Sequence, residues 1–308
     1  MWEYLKTYNP STFKMMKNLN GRPASFQIGA THIKIPNDTP PVSWVDEMTD
    51  DGVRNSLNTI VHETVHAYTH SWAYVLLQKE DSTKYKFRDN YSAFYLSEDE
   101  IYLVRHSAVF SSNKISKTIP KSLHTFRYKP YIAPKNNQLG SQVQGIFGLM
   151  DEWNAYYHGT KTAYDLYSYY TVQADDDPQV YLEHITDIAG TYFAHYEFKY
   201  YILSYMIYAK DNHPSIYDDI LANMELKKAY KAIDQRYTAL NNAFQMRLDH
   251  LDKILNAKRD MPEVGLKNGY YFIGRKGVGL FSEERDILKY ELEKPSFTEM
   301  DAILKSGL

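Results

Sequence analysis

From about Thr49 to Gln78, apolar residues recur at three- and four-residue steps: Val53, Leu57, Ile60, Val61, Val65, Tyr68 and Trp72. That period places them on one face of a long helix. Such a stripe has to be covered by other elements, so the rest of the chain must fold around it. The helix carries Val61-His62-Glu63-Thr64-Val65-His66 at its middle, and residues 60, 61, 64, 65, 67 and 68 bear no charge. Polar groups buried in such a setting need a specific partner.

His62 and His66 are four residues apart, so on a helix their imidazoles point the same way, one turn apart. Two ring nitrogens so placed can reach one tetrahedral Zn²⁺ at about 2.0–2.1 Å. Glu63 is poorly placed to ligate the same ion but can accept a proton from water activated by it. With 11 His and 16 Glu in 308 residues, chance would supply only about 0.02 His-Glu-x-x-His matches. The spacing therefore predicts a metal site rather than histidines that merely share a core. His70 lies two turns beyond His62, about 12 Å along the axis. That is too far for the same ion, and it reads as a supporting residue.

A zinc site of this kind needs a third protein ligand. A further His-x-x-Gly-x-x-His is ruled out, because Thr69 and Trp72 stand at the Gly and last His positions. The best candidate is Glu152 in Gly145-IFGLMDEWNAYYHG, which predicts a helix with Ile146, Leu149, Trp153 and Tyr156 around the carboxylate. Gly145 and Gly148, just before it, would let that helix approach another closely. Asp151 is placed to orient a ligand histidine. Weaker candidates are Asp165 and the group Glu183, His184 and Asp187. Peptide hydrolysis develops an oxyanion, which needs a hydrogen-bond donor beside the metal. Tyr157 and His158, just past Glu152, are the expected donors, with Tyr156, His195 and Tyr271 as others.

The remaining sequence predicts an α+β protein. Ser25 to Ile35 reads as a strand, and TKYKF, AFYL and EIYLVRHSAVF as further short strands. Residues 111–137 are polar and interrupted by prolines, a loop with one strand near Phe126. A helix is expected from Ser141 to Gly159. A short helix follows, then a long one from Pro178 to Lys210 and more helix from Ser215 to Lys258. The tail reads as a Gly-rich hairpin, in which GRKGVG is a turn rather than a phosphate loop, and a short helix. This divides the chain into a β-containing lobe, 1–137, and a mainly helical lobe, 138–308.

On HETVH and the later helical Glu152, the chain resembles the gluzincin group of HExxH metallopeptidases. DEWNAYYHG departs from the Asn-Glu-x-x-Ser-Asp pattern of thermolysin-like members, with Tyr156 where the last Asp would stand. The resemblance implies a two-lobe zincin-like fold. It also implies an edge strand, FQIGATHIKI or EIYLVRHSAVF, that binds extended peptide by strand addition.

Together these features predict a zinc-dependent metallopeptidase. Its zinc ligands are His62, His66 and Glu152, Glu63 is the general base, and a peptide or protein is the substrate. The competing expectations are an interaction protein that keeps the fold without turnover, and a metal-dependent hydrolase of a non-peptide substrate. The net charge of −3 argues against a nucleic-acid partner. Zero cysteine excludes thiolate ligands and disulfides, and no apolar run approaches the length of a membrane span. The 29 tyrosines suit an extracellular or cell-surface bacterial protein whose signal peptide is absent from this sequence. A cytoplasmic location is also compatible.

Overall fold

The computed structural model describes residues 1–35, 38–79, 89–174, 177–257 and 263–307. Two helices open the chain, α1 (Trp2–Tyr8) and α2 (Pro10–Asn20). Asn9 caps the second by accepting from the Thr12 amide, and Pro10 fills a first-turn position where no donor is needed. Residues 25–35 form a hairpin rather than one strand: β1 (Ser25–Ile28) pairs antiparallel with β2 (Thr31–Lys34). Gly29, at φ 56°, supplies the left-handed conformation that so tight a turn demands.

The predicted helix from Thr49 to Gln78 is broken once. Thr49 caps α3 (Asp50–Asn55), which stops at Ser56, and α4 (Leu57–Lys79) then carries the histidines. The hairpin β3 (Tyr91–Ser97) and β4 (Glu100–Arg105) contains AFYL and EIYLVR, and its second strand ends at Arg105. TKYKF lies outside the described residues.

Residues 111–137 hold short 3₁₀ turns and α5 (Tyr128–Tyr131), with helix rather than strand following Phe126. The helix expected from Ser141 is two pieces, α6 (Gly140–Val143) and α7 (Ile146–Asp165), separated at Gly145 with φ 55°. Then come α8 (Tyr167–Gln173), α9 (Val180–Ala189) and α10 (Ala194–Asn212). The last two replace the single long helix predicted from Pro178, the break falling at Gly190–Phe193. Two more helices follow, α11 (Pro214–Leu221) and α12 (Met224–Asn256), the latter capped by Asn223. The tail forms a three-stranded antiparallel sheet, β5 (Val264–Lys267), β6 (Tyr270–Ile273) and β7 (Lys276–Gly279). The turn at Gly274 belongs to this sheet. It is followed by α13 (Ser282–Leu292) and α14 (Pro295–Lys305).

The fold is thus α+β, with small antiparallel sheets and a mainly helical C-terminal part. Ile60, Val61, Val65 and Tyr68 of α4 are at most 1% exposed and pack with Met15, Met16 and Leu19 of α2. Each such side chain contributes roughly 1.5–3 kcal/mol by leaving water, so packing rather than helix propensity holds α4 in place. The two halves share their cores. Ala155 and Tyr170 join the α2–α4 cluster, while Phe94, Leu96 and Val104 of the β3–β4 hairpin join the C-terminal one. Among the described residues no helix is long and apolar enough to cross a membrane.

Candidate metal centre

The centre forms where α4 runs antiparallel along α7. Asn58 meets Gly159 at one end, His62 meets Tyr156, and His66 meets Asp151 and Glu152 at the other. Gly159 does not terminate α7 as its sequence setting predicts. It lies within the helix because Asn58 occupies the space beside it: a Cβ there would stand 2.8 Å from the Asn58 carbonyl oxygen. Asn58 is itself fixed, donating through Nδ2 to the Asp187 carbonyl at 2.9 Å and to Thr191 Oγ1 at 3.2 Å. Gly145 and Gly148 serve other contacts, Gly145 against Phe110 and Tyr205 and Gly148 against Gly140.

His62, His66 and Glu152 converge, with one donor atom from each lying within 4.8 Å of the others. The Nε2 atoms of the two histidines are 3.0 Å apart. Glu152 Oε2 lies 3.5 Å from the first and 3.4 Å from the second. Donors at 2.0–2.1 Å around a tetrahedral ion stand roughly 3.3–3.4 Å from one another, so these separations suit one ion in their midst. Glu152 Oε2 is buried without a hydrogen-bond donor, and its contacts to the imidazoles are long for hydrogen bonds. A buried carboxylate oxygen in that state is open to a cation, either an imidazolium or a metal ion. Burial alone would raise the Glu152 pKa, but His66 and His62 overcome it and hold the carboxyl ionised, well below the usual range. Burial likewise disfavours a charged His66, yet Asp151 and Glu152 outweigh it and make this position strongly attractive to positive charge.

Asp151 is where its sequence position predicts. Its Oδ2 accepts from His66 Nδ1 at 2.7 Å, which leaves the His66 Nε2 lone pair facing His62 and Glu152. His70 is 46% exposed in its side chain, reaches Asp151 Oδ2 at 3.6 Å and is not a member of the converging cluster. Glu63 is half-buried and lines a cavity of about 270 Å³ with Leu19, Pro41, Trp44 and Ala67.

No protein-family model, curated protein or solved structure matches the chain.

Two expected donors are not brought to it. Tyr157 and His158 point into the core. Tyr157 is 4% exposed and packs against Tyr237, and His158 Nε2 bonds the Tyr95 carbonyl at 2.7 Å. The reason is helical rotation: at about 100° per residue, positions 157 and 158 turn away from Glu152, whereas 156 returns to its face. Tyr156 is the aromatic at the centre, its ring 4.4 Å from that of His62. Its hydroxyl is 3.0 Å from that of Tyr131, whose phenol is held protonated first by burial and then by the nearby Glu152 charge. Arg127 lies over the Tyr156 ring at 4.3 Å and is paired with the buried Glu197 at 2.6 Å. The (i, i+4) spacing from Glu152 to Tyr156 was a usable signal. Tyr131 and Arg127 lie in a segment with no pattern of its own.

The weaker ligand candidates are engaged elsewhere. Asp165 pairs with Lys161, Glu183 with Arg54, and Asp187 accepts from the Tyr170 hydroxyl at 2.7 Å. His184 is buried between Tyr167 and Tyr170. His195 stacks on Trp153, and Tyr271 is buried near Asp252.

Proposed function

We propose that this chain is a zinc-dependent metallopeptidase with a zincin-like arrangement of its two halves. The observation that carries the proposal is the convergence of two imidazole nitrogens and one undonated, buried carboxylate oxygen at tetrahedral spacing. That mixed nitrogen and oxygen set suits Zn²⁺ better than Mg²⁺ or Ca²⁺, which favour oxygen ligands throughout. When bound, Zn²⁺ polarises a carbonyl and makes water a nucleophile near neutral pH.

The chain's own residues divide the remaining work. Glu63 takes the proton of the attacking water and returns it to the leaving amine. Asp151 fixes the tautomer of His66, and the Tyr156 ring fixes the orientation of His62. Tyr131 and Tyr156 form a hydroxyl pair beside Glu152, suited to donating a hydrogen bond as negative charge develops.

Metal content of the purified protein tests this directly. The wild type is expected to hold near-stoichiometric zinc, and Glu152→Ala to lose most of it. Glu63→Gln should keep the metal and lose peptide hydrolysis by about 10²–10⁴-fold. A wild type that stays zinc-free after metal is added back overturns the reading.

A further inference from the structure

A cavity of about 170 Å³ lies where α10, α12 and α13 meet, and it shares no residue with the candidate metal centre. Sites for drug-sized ligands run to about 300–1,000 Å³, so this one has room only for a small molecule or ion. Tyr192, Tyr196 and Phe244 form part of its wall, and Arg285 and Lys289 of α13 bring positive charge to it. No carboxylate lines it. Asp286, which is 61% exposed, pairs with Arg285 at 2.8 Å from outside the lining. Lys289 is exposed, stands 5.7 Å from the Tyr196 ring centre and has no carboxylate partner among the described residues.

The deepest polar group in this lining is Asn241 of α12. It is 7% exposed, and neither its Oδ1 nor its Nδ2 has a hydrogen-bond partner. The amide lies near enough to the Tyr196 phenol to ease its ionisation, yet the two stand outside hydrogen-bond geometry. A buried primary amide in that state forfeits free energy on both atoms. One atom donates and the other accepts, so a ligand that satisfies both presents an acceptor and a donor side by side. The two cations require the ligand to be negative, and a guanidinium fits the oxygens of carboxylates and phosphates. An ammonium group would also supply a donor, but Arg285 and Lys289 would repel it. A hydroxyl supplies the donor without that cost.

We propose that this cavity binds a small oxyanion that also carries a hydroxyl. Its oxygens accept from Arg285, Lys289 and Asn241 Nδ2, and its hydroxyl donates to Asn241 Oδ1. Hydrogen phosphate and a short hydroxy acid share this chemistry. The assignment stands apart from the peptidase reading, since the two sites have no residue in common.

Isothermal titration calorimetry on the full chain at neutral pH tests this with two pairs of probes, inorganic phosphate against sulfate and lactate against propionate. Within each pair the shapes are similar and only the first member carries the hydroxyl. In at least one pair the hydroxyl-bearing member should bind about tenfold more tightly or better, because its partner leaves Asn241 Oδ1 buried and unmatched. The pair that shows the preference tells a phosphate from a hydroxy acid. Asn241→Asp keeps the side-chain shape but places a carboxylate against the anion, and should abolish binding. Lys289→Gln changes an exposed residue, leaves the fold intact and should weaken binding about threefold or more. It keeps the test decisive if Asn241→Asp fails to fold. An anion held at the metal centre would ignore both substitutions. No saturable binding of any probe, no preference within either pair, or binding untouched by Lys289→Gln overturns the site.

Discussion

Asn58 on α4 stands directly against Gly159 on α7, and this contact sets how closely the two halves of the candidate metal centre approach. A Cβ at 159 would lie 2.8 Å from the Asn58 backbone oxygen and closer still to its side chain. Asn58 cannot step aside readily, because its amide is committed to Asp187 and Thr191.

Gly159→Ala should therefore push α7 away from α4. Overpacking of this kind costs about 1–3 kcal/mol, and the shift would carry Glu152 off His62 and His66. Thermal unfolding and zinc affinity, measured on the same preparation, should fall together. Lower stability with unchanged zinc affinity would mean that the crossing relaxes without moving the ligands.

Asp151→Asn keeps the shape at His66 and removes the charge. The amide can present a donor where the carboxylate accepts, which favours the tautomer with its proton on the wrong ring nitrogen. Loss of an orienting partner of this type costs about 10–100-fold in metal affinity. Competition against a calibrated chelator reads this, and an affinity within twofold of wild type would remove Asp151 from the account.

Arg127 and Glu197 are 2% and 0% exposed in their side chains. Arg127→Met leaves the Glu197 carboxylate buried without its partner and should cost about 3–5 kcal/mol. The double variant Arg127→Met, Glu197→Leu should recover most of that stability in denaturant titrations. Since Arg127 also lies over Tyr156, both variants are expected to hold zinc more weakly than wild type, even where the fold is restored.

Burial keeps several histidines neutral in the folded chain. It lowers the pKa of His158 and His195 to about 4 and that of His184 to about 3. The unfolded chain takes up these protons near the ordinary value of 6.5, so stability is full above that pH and is lost as pH falls toward 4. Each such group contributes up to about 1.4 kcal/mol per pH unit in this window. Asp187 works in the opposite sense. Burial raises it to about 6, so its contribution is complete below the ordinary carboxylate value of 3.8 and is lost as pH rises through about 6. Four histidines, with His106 also lowered by burial to about 4, oppose the buried acids Asp187, Asp165 and Glu197, and in the zinc-loaded protein, with His66 held by the ion, the urea midpoint should drop between pH 7 and pH 5. His184→Leu should flatten that drop, because neither ring nitrogen of His184 has a hydrogen-bond partner and the substitution removes one proton uptake. An unchanged slope would show that His184 does not control it.

The (i, i+4) spacing of His62 and His66 is a property of any helix, and the apolar stripe around it fixes α4 as a buried element. Glu152 stood out as a carboxylate among apolar neighbours, and Asp151 followed from adjacency. Breaks at Gly29, Ser56 and Gly190 carry no local signal, because a pattern of apolar residues continues across each of them. The tertiary structure alone decided which aromatic groups stand at the centre. A rotation of about 100° per residue separates Tyr156, against His62, from Tyr157 and His158 in the core. Tyr131 and Arg127 arrive from a segment with no period at all. The helix crossing made that selection, since which face of α7 meets α4 depends on long-range packing at Gly159 and Asn58, and no window of neighbouring residues contains it.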